Sequence, residues 1–432
     1  MKENTIYCEN EVKVCRTREE FLGKCSKRNP YLLAMTFLLS LNWGLSGAFL
    51  VIPAFISPTE DLARNGTSIE RVQDEFSTTT WRRPELVATV FSAGNLVLGP
   101  VFSGLADRVG RKSIIVWSIM ATGVFGICCA LSPTFEALLI FRFLQGIFYN
   151  STTLTNWVHV TESTPKSSHA SSSVIFGLSW IFGCAICSPI AYYIHSWRDI
   201  LFVLSLPNIF LALFLLWWLQ ESFEYMLLNN RYKEAEIFIG RTLKWNKKPV
   251  NYKLNEMIHK SILTKTAADK PSLRRLIRLL GSKPKLFTLL AISCYMCFSS
   301  TFLHNAMALT STVLEVGDLY WNFVFAAFVE LPSYLVVPPL FKLFGQTWTL
   351  FVLNILTVLA NVGVIFAQSE SSIYYLPCWL LAKFACSSAF MCFLIFAAQL
   401  FPCEFRGICI AICTTVGALG AVAAPMAAAL VS

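Results

Sequence analysis

Two ionisable side chains stand inside runs that are otherwise apolar: Glu330 in "FVELPSY" and Lys383 in "LLAKFAC". A charge at the centre of a bilayer costs about 2.5–3.5 kcal/mol, so such groups pair with one another or face a water-filled vestibule. The chemistry open to them is non-covalent. They can hold each other as a structural ion pair, or one can release the other to meet a charged solute. Aromatic residues in neighbouring runs could add a box for a cation or a flat organic molecule: Tyr149, Trp157, Trp180, Tyr295, Phe298 and Trp321. Lipid contact and helix packing are the competing uses of the same rings. Asn95, Asn150, Asn156 and Asn361 could bind solute or bridge helices.

A second charged constellation is the turn "SGLADRVGRK", Ser103 to Lys112, which lies between two long apolar runs. Gly104 and Gly110 permit a tight reversal. Asp107 suits a helix N-terminus, and Arg108, Arg111 and Lys112 suit C-terminal carbonyls or an opposing acid. Covalent chemistry finds no comparable cluster. The five histidines show no ligand or catalytic spacing. Cys184 and Cys187 form a CxxC without a second ligand pair, so no metal site is expected. Most of the fifteen cysteines fall in apolar runs and read as small packing residues. No phosphate-binding G-x-x-x-x-G-K-[ST] occurs, so nucleotide-driven work is not expected, and without a catalytic His, Asp or Cys cluster neither an enzyme nor a cofactor is expected.

The elements that must position these groups are membrane helices. Of 432 residues, 55% are hydrophobic and only 14% charged, and the mean hydropathy is +0.57. A water-soluble chain of this length carries more polar surface. With about 20 apolar residues needed per crossing, eleven spans are expected: 32–54, 85–105, 113–131, 136–158, 171–194, 200–219, 286–306, 318–341, 347–367, 373–398 and 408–431. The net charge of +9 invites a nucleic-acid reading. The basic residues lie in loops between apolar runs, which points to membrane topology instead.

Segment 220–285 holds fifteen Lys and Arg against six acids, and the residues before the first span hold seven. Both are therefore expected in the cytoplasm. The layout is a cytoplasmic N-terminus (1–30), a six-helix bundle (31–219) with an extracellular loop (55–83), a cytoplasmic amphipathic connector (220–285) and a five-helix bundle (286–432). Asn65, in "NGT", is then a glycosylation acceptor, whereas the sequon at Asn150 falls within a span.

The turn from Gly104 to Lys112 resembles the G-x-L-[AS]-D-R-x-G-R-[KR] loop of the major facilitator superfamily. "RFLQG" (Arg142 to Gly146), "ESTPKSSHA" from Glu162, "WRDILFVLSLPNIF", "QESFEYMLLNNRYKEAE", "FVELPSY" and "QLFPCEFRGICIAICTTVGALGAVAAP" together resemble the organic cation/anion/carnitine transporter family. That resemblance implies an all-α polytopic fold of two helical bundles, here with about 11 transmembrane helices, the twelfth missing. It also implies alternating access around a midplane cavity.

Carried over residue by residue, Glu330 and Lys383 match the family's acid and base. Asp107, Arg111, Arg142 and Glu162 match a cytoplasmic charge relay, with Gly104, Arg108, Gly110 and Arg406 in the same gate motifs. The family's span 11 charge, Asp in cation-type and Arg in anion-type members, falls at Ala418, which has none. Gln399 stands where the family has Glu, and His169 where it has Arg. The expected function is transport of small organic ions or zwitterions by facilitated diffusion, exchange or secondary coupling, in the plasma membrane, with small organic solutes and lipid as partners. A transport-dead truncated relative acting as a scaffold and a sugar-type porter are the alternatives.

Overall fold

A computed structural model describes residues 15, 17–25, 29–56, 72–76, 85–97, 105–106, 108–246, 252–267, 284–309, 319–370, 372–401 and 406–431. Nearly all of them are helical. One isolated parallel bridge joins Cys15 to Tyr252.

The first half contains α1 (Arg18–Lys24), α2 (Pro30–Val51), α3 (Pro53–Ile56), α4 (Val72–Glu75), α5 (Leu86–Val97), α6 (Arg111–Ala130), α7 (Phe135–Ser163), α8 (His169–Ala185), α9 (Cys187–Tyr193) and α10 (Trp197–Trp218). The connector forms α11 (Phe223–Leu228), α12 (Tyr232–Lys244) and α13 (Leu254–Ala267). The second half contains α14 (Pro284–Leu309), α15 (Leu319–Phe328), α16 (Leu331–Phe344), α17 (Gln346–Glu370), α18 (Ser372–Leu400) and α19 (Arg406–Val431).

Among the described residues, nine helical stretches are long and apolar enough to cross a membrane. Two of the eleven expected spans differ. Helix α5 is described over 12 residues only. Helix α7 is long, at 29 residues, but Arg142, Gln145, Asn150, Asn156 and His159 dilute its apolar character. Such a helix is tolerated because its polar side chains turn inward: Arg142, Gln145, Asn156 and His159 are all fully buried.

Proline decides where spans break. Pro53, Pro189 and Pro332 have no N–H to donate to the carbonyl four residues back. The chain accordingly splits α2 from α3 at Ile52, α8 from α9 at Ile186 and α15 from α16 at Val329 and Glu330. Pro207, Pro377 and Pro425 remain inside continuous helices.

Helix α2 packs along α8, α5 along α7, and α6 between α7 and α10. In the second half α14 packs along α19 and α17 along α18. Small residues set the close approaches. A Cβ on Gly146 would run into the Phe91 carbonyl, and one on Gly94 into the Phe143 carbonyl, so α5 and α7 touch backbone to backbone.

The two halves meet through α19 on α5, α15 and α16 on α8, and α15 on α9. Phe55 packs edge-on against Phe323 at 4.7 Å. Ser188 Oγ donates to the Tyr320 carbonyl at 2.7 Å, and Tyr192 abuts the Tyr320 ring. These contacts lie at the membrane end remote from the connector.

At the same remote end Glu75 of α4 is clamped by α10. Its carboxylate accepts from Arg198 Nε at 3.1 Å and from Trp197 Nε1 at 3.0 Å. Arg198 also donates to the Ala130 and Ser132 carbonyls at 2.6 and 2.8 Å. The hydrogen bonds from Arg198 hold the Glu75 carboxyl below its ordinary value of 4.5. A depressed acid stabilises the fold above its unfolded pKa and loses that contribution as pH falls through the folded one. Replacing Glu75→Gln is expected to lower the thermal midpoint at neutral pH by the equivalent of about 1 kcal/mol or less, because the pair is partly exposed. The difference from wild type should vanish below the ordinary carboxylate range, as read from thermal unfolding in detergent across pH.

Candidate functional site: a cavity with a buried ion pair

The break at Glu330 places this residue at the N-cap of α16, with helical φ −73° and ψ −20°. A helix N-terminus favours a carboxylate. Lys383, midway along α18, reaches it: Nζ lies 3.0 Å from Glu330 Oε1. Glu330 is only 6% exposed and Lys383 3%, so each charge depends on the other for compensation. Ser333 Oγ and Ser388 Oγ, 2.8 Å apart, tie the same two helices one turn further along.

The pair forms part of the wall of a small cavity between the two halves. Leu50 and Val51 of α2, Trp180 and Cys184 of α8, His304 and Asn305 of α14, and Phe323 of α15 also line it, with small and aliphatic residues between them. A few polar groups on a mostly apolar wall is the usual composition of a small-molecule site. His304 stacks on Phe390 at 5.1 Å, and its Nδ1 lies 3.5 Å from Ser387 Oγ.

Of the expected cavity residues, the structure brings Glu330, Lys383 and Trp180 together. The others lie elsewhere. Tyr149 is buried against Phe91 at 5.2 Å. Asn150 donates to the Asn95 carbonyl at 3.1 Å and bridges α5 to α7. Trp157 packs edge-on against Phe176 at 5.5 Å. Phe298 stacks on Phe302, and Ala418 is half-buried in α19 outside the lining. Tyr295 and Trp321 are 70% and 61% exposed and do not border the ion pair. Aromatic type and depth alone do not reveal which way a ring faces. His304, Asn305 and Cys184 were missed. Their signal was only that they are polar or soft groups within apolar spans.

At the connector end a second network forms. Arg111 Nη2 bonds Glu162 Oε1 at 2.9 Å, and the Ser222 hydroxyl bonds the other oxygen of the same carboxylate. Glu221 Oε1 accepts from the backbone N–H groups of Arg111, Lys112 and Ser222 at 2.8, 2.9 and 3.0 Å. It thereby caps α6, whose N-cap Gly110 has φ +115° and no side chain to do so. A side chain at Gly110 would collide with that carboxylate. The Arg111 guanidinium lies over the Tyr225 ring at 5.1 Å, and the Tyr225 hydroxyl donates to the Arg108 carbonyl at 3.0 Å. Arg18 of α1 pairs with Glu224. Glu221 and Tyr225 were not anticipated, although "QES" directly after α10 was their trace.

One expectation about this network is corrected. Arg142 does not join it. About twenty residues of α7 separate Arg142 from Glu162, roughly 30 Å of helix, so Arg142 lies in the half remote from the connector. There its Nη1 donates to Gln145 Oε1 at 3.1 Å and reaches the Phe49 carbonyl at 3.5 Å. Phe49 is four residues before Pro53, so its carbonyl is the one left without a helical donor. Arg142 supports the kink between α2 and α3. Gly104, Asp107 and Asn65 lie outside the described residues, as does the side chain of Arg406, which opens α19.

Comparison with known proteins agrees with this architecture. The family model "Major Facilitator Superfamily" matches residues 32–425. The chain belongs to the major facilitator superfamily. A Caenorhabditis elegans protein that carries a provisional transporter name is 27% identical over 410 residues, 94% of this chain and 81% of that protein. Organic anion transporter 3 of Rattus norvegicus is 29% identical over 346 residues, which is 79% of this chain and 63% of that transporter's length. The inward open xylose transporter XylE from E. coli superposes with a TM-score of 0.71 at 13% identity, covering 92% of this chain and 90% of that one. The fold and the relatives are those of membrane transporters of small solutes.

Breaking one member of a buried pair typically costs about 3–5 kcal/mol, because the partner charge is left bare. Lys383→Gln alone and Glu330→Gln alone should each lower the detergent melting temperature, and the double variant should recover most of that loss. Glu221→Ala removes three backbone caps and is expected to cost about 1–2 kcal/mol, read as a lower melting temperature that Glu221→Gln partly restores.

Proposed function

We propose that this chain moves small organic ions or zwitterions across a membrane by alternating access, with the Glu330–Lys383 pair as the polar element of the solute site. One observation carries the reading: a buried ion pair forms part of the wall of a cavity between two sets of helices. A charged solute entering there can exchange one partner of the pair for itself. Binding that differs between two states of the protein is what drives such a cycle. The aromatic ties at the remote end, Phe55 to Phe323 and Tyr192 to Tyr320, support a state whose cavity opens toward the connector.

The basic connector and N-terminal segment support a cytoplasmic location for that end. The plasma membrane is the proposed site, with Asn65 outside the cell. In this orientation Arg111, Glu162, Glu221 and Ser222 brace the cytoplasmic ends of α6, α7 and α10, as an inner gate requires, with Gly104, Asp107, Arg108 and Arg406 as further members. The resemblance to an organic anion transporter favours organic ions over sugars as cargo.

Uptake of labelled tetraethylammonium, carnitine and benzenesulfonate into proteoliposomes tests the proposal. At least one should enter in a saturable manner, and Glu330→Gln and Lys383→Gln should each reduce that uptake tenfold or more. Normal uptake by both variants would remove the ion pair from the solute site. No uptake of any of the three would sink the organic-ion reading.

A further inference from the structure

We infer that His304 is the proton-binding group of this cavity and that the chain carries organic monoanions together with one proton. The inference rests on the transport reading above and adds to it a cargo charge and a coupling ion. Among the described residues, the groups around His304 are few. On its own helix Asn305 is adjacent. Glu330 faces it from the α15–α16 break and Lys383 from α18, with Ser387 at 3.5 Å on the same helix. Cys184 of α8 borders the same cavity. Tyr334 and Cys386 also lie within electrostatic reach of the ion pair. Glu330 and Lys383 are the charges among these residues, and they cancel.

That cancellation decides what can enter. An anion arriving alone reaches Lys383 only by drawing it from Glu330, which strands a buried carboxylate, the costly result of a broken pair. A proton taken up on the His304 imidazole removes the penalty. The imidazolium then compensates Glu330, Lys383 is free to hold the anion, and the net charge of the loaded site is again zero. A cation arriving alone would take Glu330 and strand Lys383, and a neutral imidazole has no means of supplying the missing negative charge. The cavity is therefore biased toward an anion with a proton and against a cation.

The proton comes from the aqueous face to which the cavity opens and rests on an imidazole nitrogen. It leaves with the anion on the other face, so no net charge crosses the membrane. By linkage, each of the two ligands raises the affinity for the other by the same factor. Stacking on Phe390 holds the ring in place for this exchange.

The test uses the full chain in proteoliposomes, with labelled benzenesulfonate, an anion that stays ionised across the working range, and the membrane potential clamped at zero. An inward gradient of about one pH unit should drive accumulation several-fold above the level reached without it, toward a limit of about tenfold. His304→Gln should abolish that accumulation and leave uptake independent of pH. His304→Lys, which fixes the charge, should exchange the anion at every pH without accumulating it. Exchange by wild type that ignores the gradient would overturn the inference, as would gradient-driven accumulation by either variant. Transport of tetraethylammonium but not of benzenesulfonate would overturn it while leaving the transport reading intact. Transport of neither would remove both. Should His304→Gln fail to fold, the wild-type gradient response and His304→Lys decide the question.

Discussion

A charge that cannot reach water must find its opposite, and the second half of this protein is arranged around that requirement. Glu330 and Lys383 come from separate helices and sit 3.0 Å apart. Pro332 breaks the helix so that the acid stands at the start of α16, and the serine pair Ser333–Ser388 holds α16 and α18 in register for the contact. Strongly apolar neighbours make the pair hard to hydrate, so each charge depends on the other for compensation. A vestibule built of apolar groups alone would bind organic molecules with little regard for their ionic state.

The connector end solves a different problem with similar residues. Arg111, Glu162 and Glu221 are interlocked with backbone N–H groups and with Ser222 and Tyr225. Each oxygen of Glu162 has a named partner there. A network of charge-assisted hydrogen bonds of this kind holds helix ends in one geometry. The cavity pair has fewer hydrogen bonds and lies on a cavity wall instead of at helix ends. The division of labour is between charges that brace and charges that can be exchanged.

Arg142 shows how position along a helix outweighs residue type. Its motif suggests membership of the charge relay, yet the rise of α7 carries it to the opposite half. There it serves a carbonyl that Pro53 has left without a donor. Leu50 and Val51, which immediately precede the α2–α3 kink, line the cavity, so this buried arginine braces a helix of the cavity wall from outside it.

The helical, membrane-crossing character of the chain and the identity of the buried acid and base were legible in the sequence. They depend on local composition: about 20 apolar residues span a bilayer, and an ionised group in hydrocarbon is conspicuous. The proline breaks were not, because Pro53 interrupts a helix while Pro207 and Pro425 sit inside unbroken ones. Which polar residues meet was settled only by tertiary structure. Cys184, Glu330 and Lys383 are far apart in the chain yet line one cavity, and the rotation of each helix decides which face turns inward. That rotation places Trp180 and His304 on the cavity wall while Trp157 and Tyr149 disappear into packing. Glu221 caps a helix more than a hundred residues away. No spacing rule reports such a contact, because it is a property of how helices pack and not of the order in which they are made.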